Sequence, residues 1–347
     1  MVFGIIIYLR KEILSNEYRT PLAPKDIVTL IENGFIVYIE SSNLRIYSDN
    51  EYTKESEKVI ITNKKWYDEM FSNALIIGLK EFDNLDKLNN HKHLYFSHSY
   101  KNQNNSEIIL KHFSKSNSII YDFEFFLDSN EKRIISFGFY AGIAGGLLGL
   151  MQYLTKKKSR KNIKDLIPFH SEYEIIKKIM KNNIKDHNLK IGIIGYNGKC
   201  GQGVINVLNQ LEIKYNKINK NDNKEEFKDY DIFYNCILLD KKCNDIFFDN
   251  NTEFYKNIII VDISCDYNQQ NNPIKIYNEN TTWKNPVFNY NNFVDIIAIS
   301  NLPSLLPKDS SNYFSSKCVQ LLRNYCNDEN KSWDKCKKIF LDKIKNI

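Results

Sequence analysis

The stretch Ile191-Gly-Ile-Ile-Gly-Tyr-Asn-Gly-Lys-Cys-Gly-Gln-Gly203 decides the fold of this chain. Its apolar start predicts a buried parallel strand, its glycines predict a tight turn, and helical spacing returns from Val204. A strand, a glycine-rich turn and a helix are typical of a dinucleotide-binding unit. Asp222 follows about 20 residues later, where an acid binds the ribose hydroxyls of NAD. Glycines also serve ordinary turns and helix ends, so the interpretation rests on all these features together.

Short apolar runs alternate with helical patterns along the whole chain, which is typical of parallel sheets covered by helices. The predicted fold is α/β, with two Rossmann-like, doubly wound parallel-sheet domains and a cleft between them. We expect a substrate and catalytic domain at 1–136, completed by a C-terminal helix at about 324–347, and an NAD-binding domain at 137–323. The predicted strands are 2–9, 35–39, 58–61, 74–78, 94–97, 118–121, 189–195, 213–219, 231–237, 257–263 and 294–299.

Composition and charge exclude several classes of protein. The net charge of +6 is spread along 347 residues, and the one basic cluster at 156–161 follows a helical pattern, so we expect no nucleic-acid partner. The longest apolar stretch, 138–150, is shorter than the roughly 20 residues that cross a bilayer, so we expect no membrane partner. Since the sequence shows neither a signal peptide nor a C-terminal peroxisomal tripeptide, we expect a cytoplasmic protein, and we also expect a monomer. Seven cysteines without a C-x-x-C motif predict neither disulfides nor a metal site, and His91 and His93 are expected to be a surface pair.

Three side chains that can carry chemistry follow predicted strands of the first domain. Lys80 comes after the strand at 74–78, His98 after the strand at 94–97, and Arg19 in the loop after the first strand. Ligands of doubly wound sheets bind beyond the carboxyl ends of the strands, so these groups share one edge. A lysine with a lowered pKa and a histidine can divide base and acid work, and an arginine suits a carboxylate. A surface lysine, a structural histidine and a surface salt bridge remain the alternatives.

Five motifs, taken in order, resemble one known family. They are Gly78-Leu-Lys-Glu81, Phe96-Ser-His-Ser-Tyr-Lys-Asn-Gln103, Phe137-Gly-Phe-Tyr-Ala-Gly-Ile-Ala-Gly145, Gly198-Lys-Cys-Gly201 and Leu302-Pro-Ser-Leu-Leu-Pro307. Together they resemble the NAD-dependent, lysine-forming saccharopine dehydrogenases of the α-aminoadipate pathway of lysine biosynthesis, over essentially the whole chain. The wider superfamily, with alanine dehydrogenase and transhydrogenase, shares the two-domain plan but differs in these motifs.

The resemblance implies a reaction and a role for each motif. Saccharopine, NAD and water would be interconverted with lysine, 2-oxoglutarate and NADH, so small molecules are the expected partners and NAD the expected cofactor. Lys80 matches the family base, which takes a proton from the secondary amine. His98 matches the group that activates water and later protonates the leaving amine.

The resemblance also implies two sets of contacts. The substrate contacts would be Arg19, Lys80, Gln103, Glu124, Phe137, Ser264, Cys265 and Asp266. The cofactor contacts would be Lys132, Arg133, Gly195, Gly198, Lys199, Cys200, Gly201, Asp222, Glu226, Leu238, Ile263, Ile299, Ser300, Asn301 and Leu302. Relatives carry the counterparts of Cys200 and Cys236 close together, which would allow a redox-sensitive contact; two buried thiols are the alternative.

The chain departs from the family pattern around the cofactor. Ser300-Asn301 stands where an Asp-His pair is usual, Lys132 replaces an arginine, Leu238 replaces an aromatic residue, and the loop at 240–250 is rewritten. Two other functions therefore stay open. One is an imino-acid or alanine-type dehydrogenase with a smaller substrate, and the other is a catalytically impaired binding or regulatory homologue. The intact Lys80 and His98 argue against the second.

Overall fold

The chain divides into two compact units, each with its own sheet. Our computed structural model describes residues 4–100, 105–181, 188–238, 245–265, 267, 269–325, 331–345 and 347. One unit comprises Met1–Ser136 and Pro307–Ile347, and the other comprises Phe137–Leu306. Two residues that the sequence assigns to the substrate site, Gln103 and Asp266, lie outside the described residues.

The first unit is built on a six-stranded parallel sheet. Its strands are mostly apolar and buried, as expected for a parallel sheet covered on both faces. The order is β3-β2-β1-β4-β5-β6, so the chain reverses direction across the sheet between β1 and β4, which is where doubly wound sheets bind ligands. The strands are β1 (Ile6–Leu9), β2 (Ile36–Glu40), β3 (Ile60–Thr62), β4 (Leu75–Ile77), β5 (Lys92–Tyr95) and β6 (Ile119–Asp122).

Three helices connect these strands: α1 (Pro24–Glu32), α2 (Asp49–Glu55) and α3 (Ser106–Lys115). Pro24 begins α1, because a proline at the first helical position removes no hydrogen bond that the helix needs. A capping box begins α2, where the Ser48 N–H donates to Oε2 of Glu51 at 2.8 Å.

The second unit carries another six-stranded sheet with the order β11-β12-β10-β9-β7-β8. All pairs are parallel except β11 with β12, which is antiparallel and lies at the edge. Helix α4 packs against α6, β9 and β10. The elements are α4 (Gly138–Ser159), α5 (Glu172–Lys181), β7 (Ile191–Ile194), α6 (Lys199–Gln210), β8 (Asn216–Ile218), β9 (Ile232–Asn235), β10 (Ile258–Asp262), β11 (Phe288–Asn289) and β12 (Val294–Ile297). Two Rossmann-like sheets are thus confirmed.

Two C-terminal helices, α7 (Pro307–Arg323) and α8 (Ser332–Ile344), return to the first unit. On α7, the hydroxyl of Ser311 accepts the Thr20 N–H at 2.9 Å, and that of Ser315 accepts the Ala23 N–H at 2.7 Å. These bonds cap the backbone ahead of α1, so α7 groups with the first unit, whereas the sequence boundary at 323 places it with the second. Helix α8 lies against β6.

His93 on β5, and His91 just before that strand, lie in the core of the first unit. His91 and His93 are buried, with exposed fractions of 4% and 1%, so the expected surface pair was wrong. His93 stacks on Phe82 with ring centroids 4.5 Å apart and meets the edge of Trp66 at 4.9 Å. Because helices cover both faces of a parallel sheet, side chains on either face of its strands are buried whatever their polarity. Burial holds the pKa of His93 well below its ordinary value.

No helix among the described residues is long and apolar enough to cross a membrane. In the same part of the chain, no three His, Cys, Asp or Glu side chains gather as a metal site requires.

Candidate active site

Lys80 lies just beyond β4, at the carboxyl edge of the first sheet. The loop that carries it is tied to β5 and the residue after it: the Gly78 N–H donates to the Leu94 carbonyl at 3.1 Å, and the Phe96 N–H donates to the Leu79 carbonyl at 3.1 Å. Burial lowers the pKa of the Lys80 amine, and the charge of Arg19 lowers it further, against the opposite effect of nearby acids. A lysine in this state can exist as a neutral amine and act as a base.

Arg19 is buried beside that loop and forms a forked ion pair with Glu17. Its Nε donates to Oε1 of Glu17 at 2.7 Å, and its Nη2 donates to Oε2 at 2.5 Å. Arg19, Glu17 and Thr20 line a small pocket together with Arg10, Glu12 and Arg45. Arg19 is not part of a surface salt bridge, the alternative raised by the sequence, because its exposed fraction is only 4%. Glu17 instead orients the guanidinium inside the unit.

His98 adopts a left-handed backbone conformation. Its φ is +52°, in a region that residues other than glycine occupy only occasionally. The ring lies parallel to that of Phe96, with centroids 6.2 Å apart. The preceding residue, Ser97, donates its N–H and its hydroxyl to Oδ2 of Asp122 at 3.1 and 2.7 Å. Asp122 therefore anchors the turn that presents His98, and burial raises the pKa of this carboxyl to about 6.

Two residues from different predicted contact sets pair with each other. Glu124, expected to contact substrate, forms an ion pair of 3.2 Å with Arg133, expected to contact cofactor. Both are partly buried, whereas Lys132 is exposed on the neighbouring turn. Arg133 thus neutralises a carboxylate that follows β6 at the same sheet edge as Lys80 and His98.

The glycine-rich loop of the second unit leads from β7 into α6. Gly195 has φ +77°, and a Cβ there would lie 2.6 Å from the Cys236 carbonyl, so only glycine fits this turn. Gly198 is the N-cap of α6 and brings no side chain to cap it, while Lys199, Cys200 and Gly201 form its first turn. A helix N-terminus without a capping side chain suits a pyrophosphate.

The residue that directly follows β8 is Asn219. Its Oδ1 accepts the Tyr196 hydroxyl of the glycine loop at 3.0 Å, and its N–H donates to Oδ2 of Asp222 at 2.8 Å. Asp222 itself is exposed, one turn further along. Lys224, which stands close to Asp222 in sequence, pairs instead with Asp245 at 2.7 Å. Glu226 is exposed nearby and accepts from the Asn223 amide at 3.3 Å.

A buried carboxylate joins the ends of β9 and β10. Asp262 accepts the Asn235 amide at 2.9 Å, the Tyr277 hydroxyl at 2.6 Å and the Cys265 N–H at 3.2 Å. It thereby fixes the turn Ile263-Ser264-Cys265, in which Cys265 has φ +54°. The Ser264 hydroxyl donates to the Ile237 carbonyl across the two strand ends. Leu238, expected to contact cofactor, is 78% exposed at the end of the β9 loop.

The segment after β12 contains two polar residues, of which Ser300 is exposed and Asn301 is hydrogen-bonded within the second unit. Ile299 and Leu302 are buried, whereas Ser300 between them is exposed. The Asn301 amide oxygen accepts the Trp283 indole N–H at 2.9 Å. Asn301 therefore orients this turn from within the second unit, and Ser300 is the member of the pair that faces outward.

The second unit also contains the expected substrate contact Phe137 and the expected neighbour of Cys200, Cys236. Phe137 is buried and stands at the N-cap of α4. Cys236 is also buried, and burial together with the proximity of Cys200 raises the pKa of its thiol well above the ordinary value. No disulfide joins the described cysteines.

These residues fit a dinucleotide. A Rossmann unit binds pyrophosphate and ribose with a helix N-terminus, a glycine turn and a polar group after the second strand. Here these parts are the glycine-capped N-terminus of α6, the Gly195 turn that a Cβ would block, and Asn219 with Asp222 after β8. The sequence did not single out Asn219, Asp262, Arg10 or Glu12. In the sequence, Asn219 and Asp262 could be noticed only as polar residues at the ends of predicted strands. Their hydrogen bonds to other loops and strands are visible only in the structure.

Known proteins resemble this chain in sequence and in fold. The family model "Alanine dehydrogenase/PNT, N-terminal domain" matches residues 8–144. The chain is 34% identical to a saccharopine dehydrogenase (NAD+, L-lysine-forming) from Candida glabrata, covering 90% of this chain and 89% of that protein. It is 31% identical to the same enzyme from Yarrowia lipolytica, covering 98% of each. A solved L-alanine dehydrogenase superposes with a TM-score of 0.68 at 15% identity, covering 96% of this chain and 94% of that one.

Proposed function

The chain belongs to the family of NAD+-dependent, L-lysine-forming saccharopine dehydrogenases, and we propose how its residues divide the work. The reaction converts saccharopine, NAD+ and water into L-lysine, 2-oxoglutarate and NADH, the lysine-forming step of lysine biosynthesis. The observation that carries the site assignment is a partly buried lysine whose pKa is lowered by burial and by Arg19, on the sheet edge that also presents His98. NADH oxidation with lysine and 2-oxoglutarate tests it.

Lys80 is the base that accepts a proton from the secondary amine of saccharopine. Removal of that proton makes the nitrogen lone pair available as hydride leaves the adjacent glutamyl carbon, giving an imine. A lysine with an ordinary pKa would be protonated at neutral pH and could not accept this proton. Burial and the charge of Arg19 both favour the neutral amine.

His98 activates the water that adds to the imine and then protonates the departing lysine amine. A histidine can serve in both directions, since its ordinary pKa lies close to neutral. The left-handed turn at His98 is held by Ser97 and Asp122, which fixes the direction of its side chain. Arg19 binds a carboxylate of the substrate, and Glu17 keeps the guanidinium aligned for it.

NAD+ supplies the hydride acceptor when bound. The first turn of α6 receives the pyrophosphate, and Asn219 and Asp222 receive the adenosine ribose. Ile263, Ser300 and Leu302 follow the central strands β10 and β12, from which they would border the nicotinamide. Ser300 offers a neutral hydroxyl where the family resemblance implies a carboxylate, so we expect a weaker hydrogen bond to the carboxamide here.

A smaller substrate is the competing enzyme function. Alanine-type dehydrogenases share the fold. The likeness to the L-alanine dehydrogenase structure, at 15% identity, supports the shared fold but not a shared substrate. The near full-length likeness to the lysine-forming enzymes favours saccharopine. We further propose that the protein acts as a cytoplasmic monomer on these small molecules, and sedimentation analysis checks the monomer.

We expect Arg19→Ala to raise the KM for 2-oxoglutarate or saccharopine while the KM for NADH stays nearly constant. A charged hydrogen bond contributes about 1.5–3 kcal/mol, which corresponds to roughly 10–150-fold in binding. Arg19→Lys keeps the charge but loses the fork, so an intermediate effect is expected. Arg323→Ala, at an exposed position of the same unit, is the control. Unchanged KM values for every substrate in Arg19→Ala would reject the carboxylate assignment.

We expect NADH to be strongly preferred over NADPH, because Asp222 would repel a 2′-phosphate. Lys224 does not cancel this charge, since it pairs with Asp245. Asp222→Ala should lower the ratio of kcat/KM for NADH to kcat/KM for NADPH. Asn219→Ala should weaken the binding of NADH without favouring NADPH. The control is Glu225→Ala, at an exposed acid three residues further along. Equal kcat/KM for both cofactors in the unaltered protein would contradict the assignment of Asp222.

A further inference from the structure

Two buried charged side chains hold the backbone of Lys80 from the strand beside it. Arg10 and Glu12 follow β1, which pairs with β4 in the sheet, and the Arg10 N–H extends that pairing by donating to the Ile77 carbonyl at 2.9 Å. Their exposed fractions are 2% and 8%. Charged side chains are rarely buried so completely unless they are paired. The contacts of Arg10 and Glu12 therefore indicate the role of each side chain.

Glu12 receives two successive backbone N–H groups. Its Oε1 accepts the Leu79 N–H at 2.7 Å, and its Oε2 accepts the Lys80 N–H at 2.9 Å. Hydrogen bonds to an ionised acceptor are about twice as strong as neutral ones. Because one rigid carboxylate takes both bonds, it sets the direction in which the chain leaves β4.

Arg10 holds the next two peptide units of the same loop. Its guanidinium donates to the Lys80 carbonyl and, at 3.5 Å, to the Glu81 carbonyl, and it lies 3.4 Å from Oε1 of Glu12. The aromatic rings of Phe82 and Tyr95 lie 5.3 and 5.8 Å from its central carbon. A Cβ at Gly78 would overlap the guanidinium, so the glycine of this loop makes room for the arginine.

We propose that Arg10 and Glu12 are positioning residues for the reaction, which hold the Lys80 backbone so that its amine meets the substrate nitrogen. The inference rests on the proposed role of Lys80 as the base. Neither residue needs to touch substrate for this purpose, since both the N–H and the carbonyl of Lys80 are occupied by them. Reactions are sensitive to such placement, because a displacement of about 1 Å can cost about 10²-fold in rate.

Glu12 also acts on the charge of Lys80. The groups that face this amine are Arg19, which lowers its pKa together with burial, and Glu17, Glu12 and Glu81, which raise it. The reaction uses the neutral amine, so activity rises with pH through the pKa of Lys80. Removing the charge of Glu12 should therefore move the acid limb of the kcat/KM profile to lower pH.

The test compares Glu12→Gln with Glu12→Asp in the full-length protein. We expect both to lower kcat about 10–100-fold with the KM for NADH unchanged. Only Glu12→Gln should move the acid limb, because Glu12→Asp keeps the charge and shortens the reach. Glu57→Gln, at an exposed position of the same unit, is the control. Loss of cooperative thermal unfolding or of NADH binding in both variants would overturn the inference, since Glu12 would then serve only the fold.

The same substitution in a second background separates this inference from the role of Lys80. Residues that act as one unit give non-additive effects. In Lys80→Met, adding Glu12→Gln should change the residual kcat by less than about twofold. Full additivity, or unaltered kcat and pH profile in Glu12→Gln alone, would reject the positioning role. Wild-type activity in Lys80→Met would reject the proposed base itself.

Discussion

Lys80→Met is expected to lower kcat by about 10²–10⁴, the range for a lost general acid or base. Methionine keeps the length of the side chain but offers no amine to accept the proton of saccharopine. Binding of NADH should barely change, because Lys80 belongs to the first unit whereas the glycine loop belongs to the second. Steady-state kinetics and an NADH fluorescence titration measure the two quantities separately.

The control for Lys80 is a lysine in an ordinary environment. Lys87 is about half exposed and pairs with Asp86, so Lys87→Met should leave kcat unaltered. The pH profile adds a second check. Because burial and Arg19 lower the pKa of Lys80, the acid limb of kcat/KM for saccharopine should lie below the ordinary lysine value. Near wild-type turnover in Lys80→Met would show that another group is the base.

His98→Gln is expected to slow turnover by a similar factor of about 10²–10⁴. Glutamine is close in size and can donate a hydrogen bond, but it can neither take a proton from water nor give one to the leaving amine. The loss should appear in both directions of the reaction, since the same group serves both. His170→Gln, at an exposed histidine, is the matched control.

A second variant distinguishes loss of the imidazole from loss of the backbone conformation at position 98. His98 has φ +52°, a conformation that costs free energy and that glutamine also finds unfavourable. His98→Asn would suit this conformation better while still lacking the imidazole. If His98→Asn restored turnover, the histidine would matter for its backbone alone, and its assignment as acid and base would be wrong.

Much of the fold was predictable because its signals are local. Each predicted strand matches one of the strands from β1 to β10 or β12, since apolar runs between helical patterns mark buried parallel strands. The short strand Phe288–Asn289 was missed, because two exposed residues give no pattern. Helix α7 joins the first unit through serine hydroxyls at 311 and 315, and a sequence pattern does not reveal the partner of a buried hydroxyl.

The site was predictable only in outline. Strand ends placed Lys80, His98 and Arg19 on one edge, because parallel strands bring their carboxyl ends together. The pairing of Arg19 with Glu17, the pairing of Glu124 with Arg133 and the left-handed turn at His98 depend on three-dimensional packing. Asn219 gives little signal in the sequence, because an acid is the usual ribose ligand and Asp222 lies at the distance where one is usual.

The most direct test is the substrate itself. NADH oxidation should be fast with lysine plus 2-oxoglutarate and negligible with pyruvate plus ammonia, at equal enzyme and cofactor concentrations. Product analysis should identify saccharopine in the first mixture, and Lys80→Met should abolish most of its formation. Preference for pyruvate and ammonia would contradict the account and support an alanine-type dehydrogenase, and no oxidation in either mixture, with NADH still bound, would support a catalytically impaired homologue.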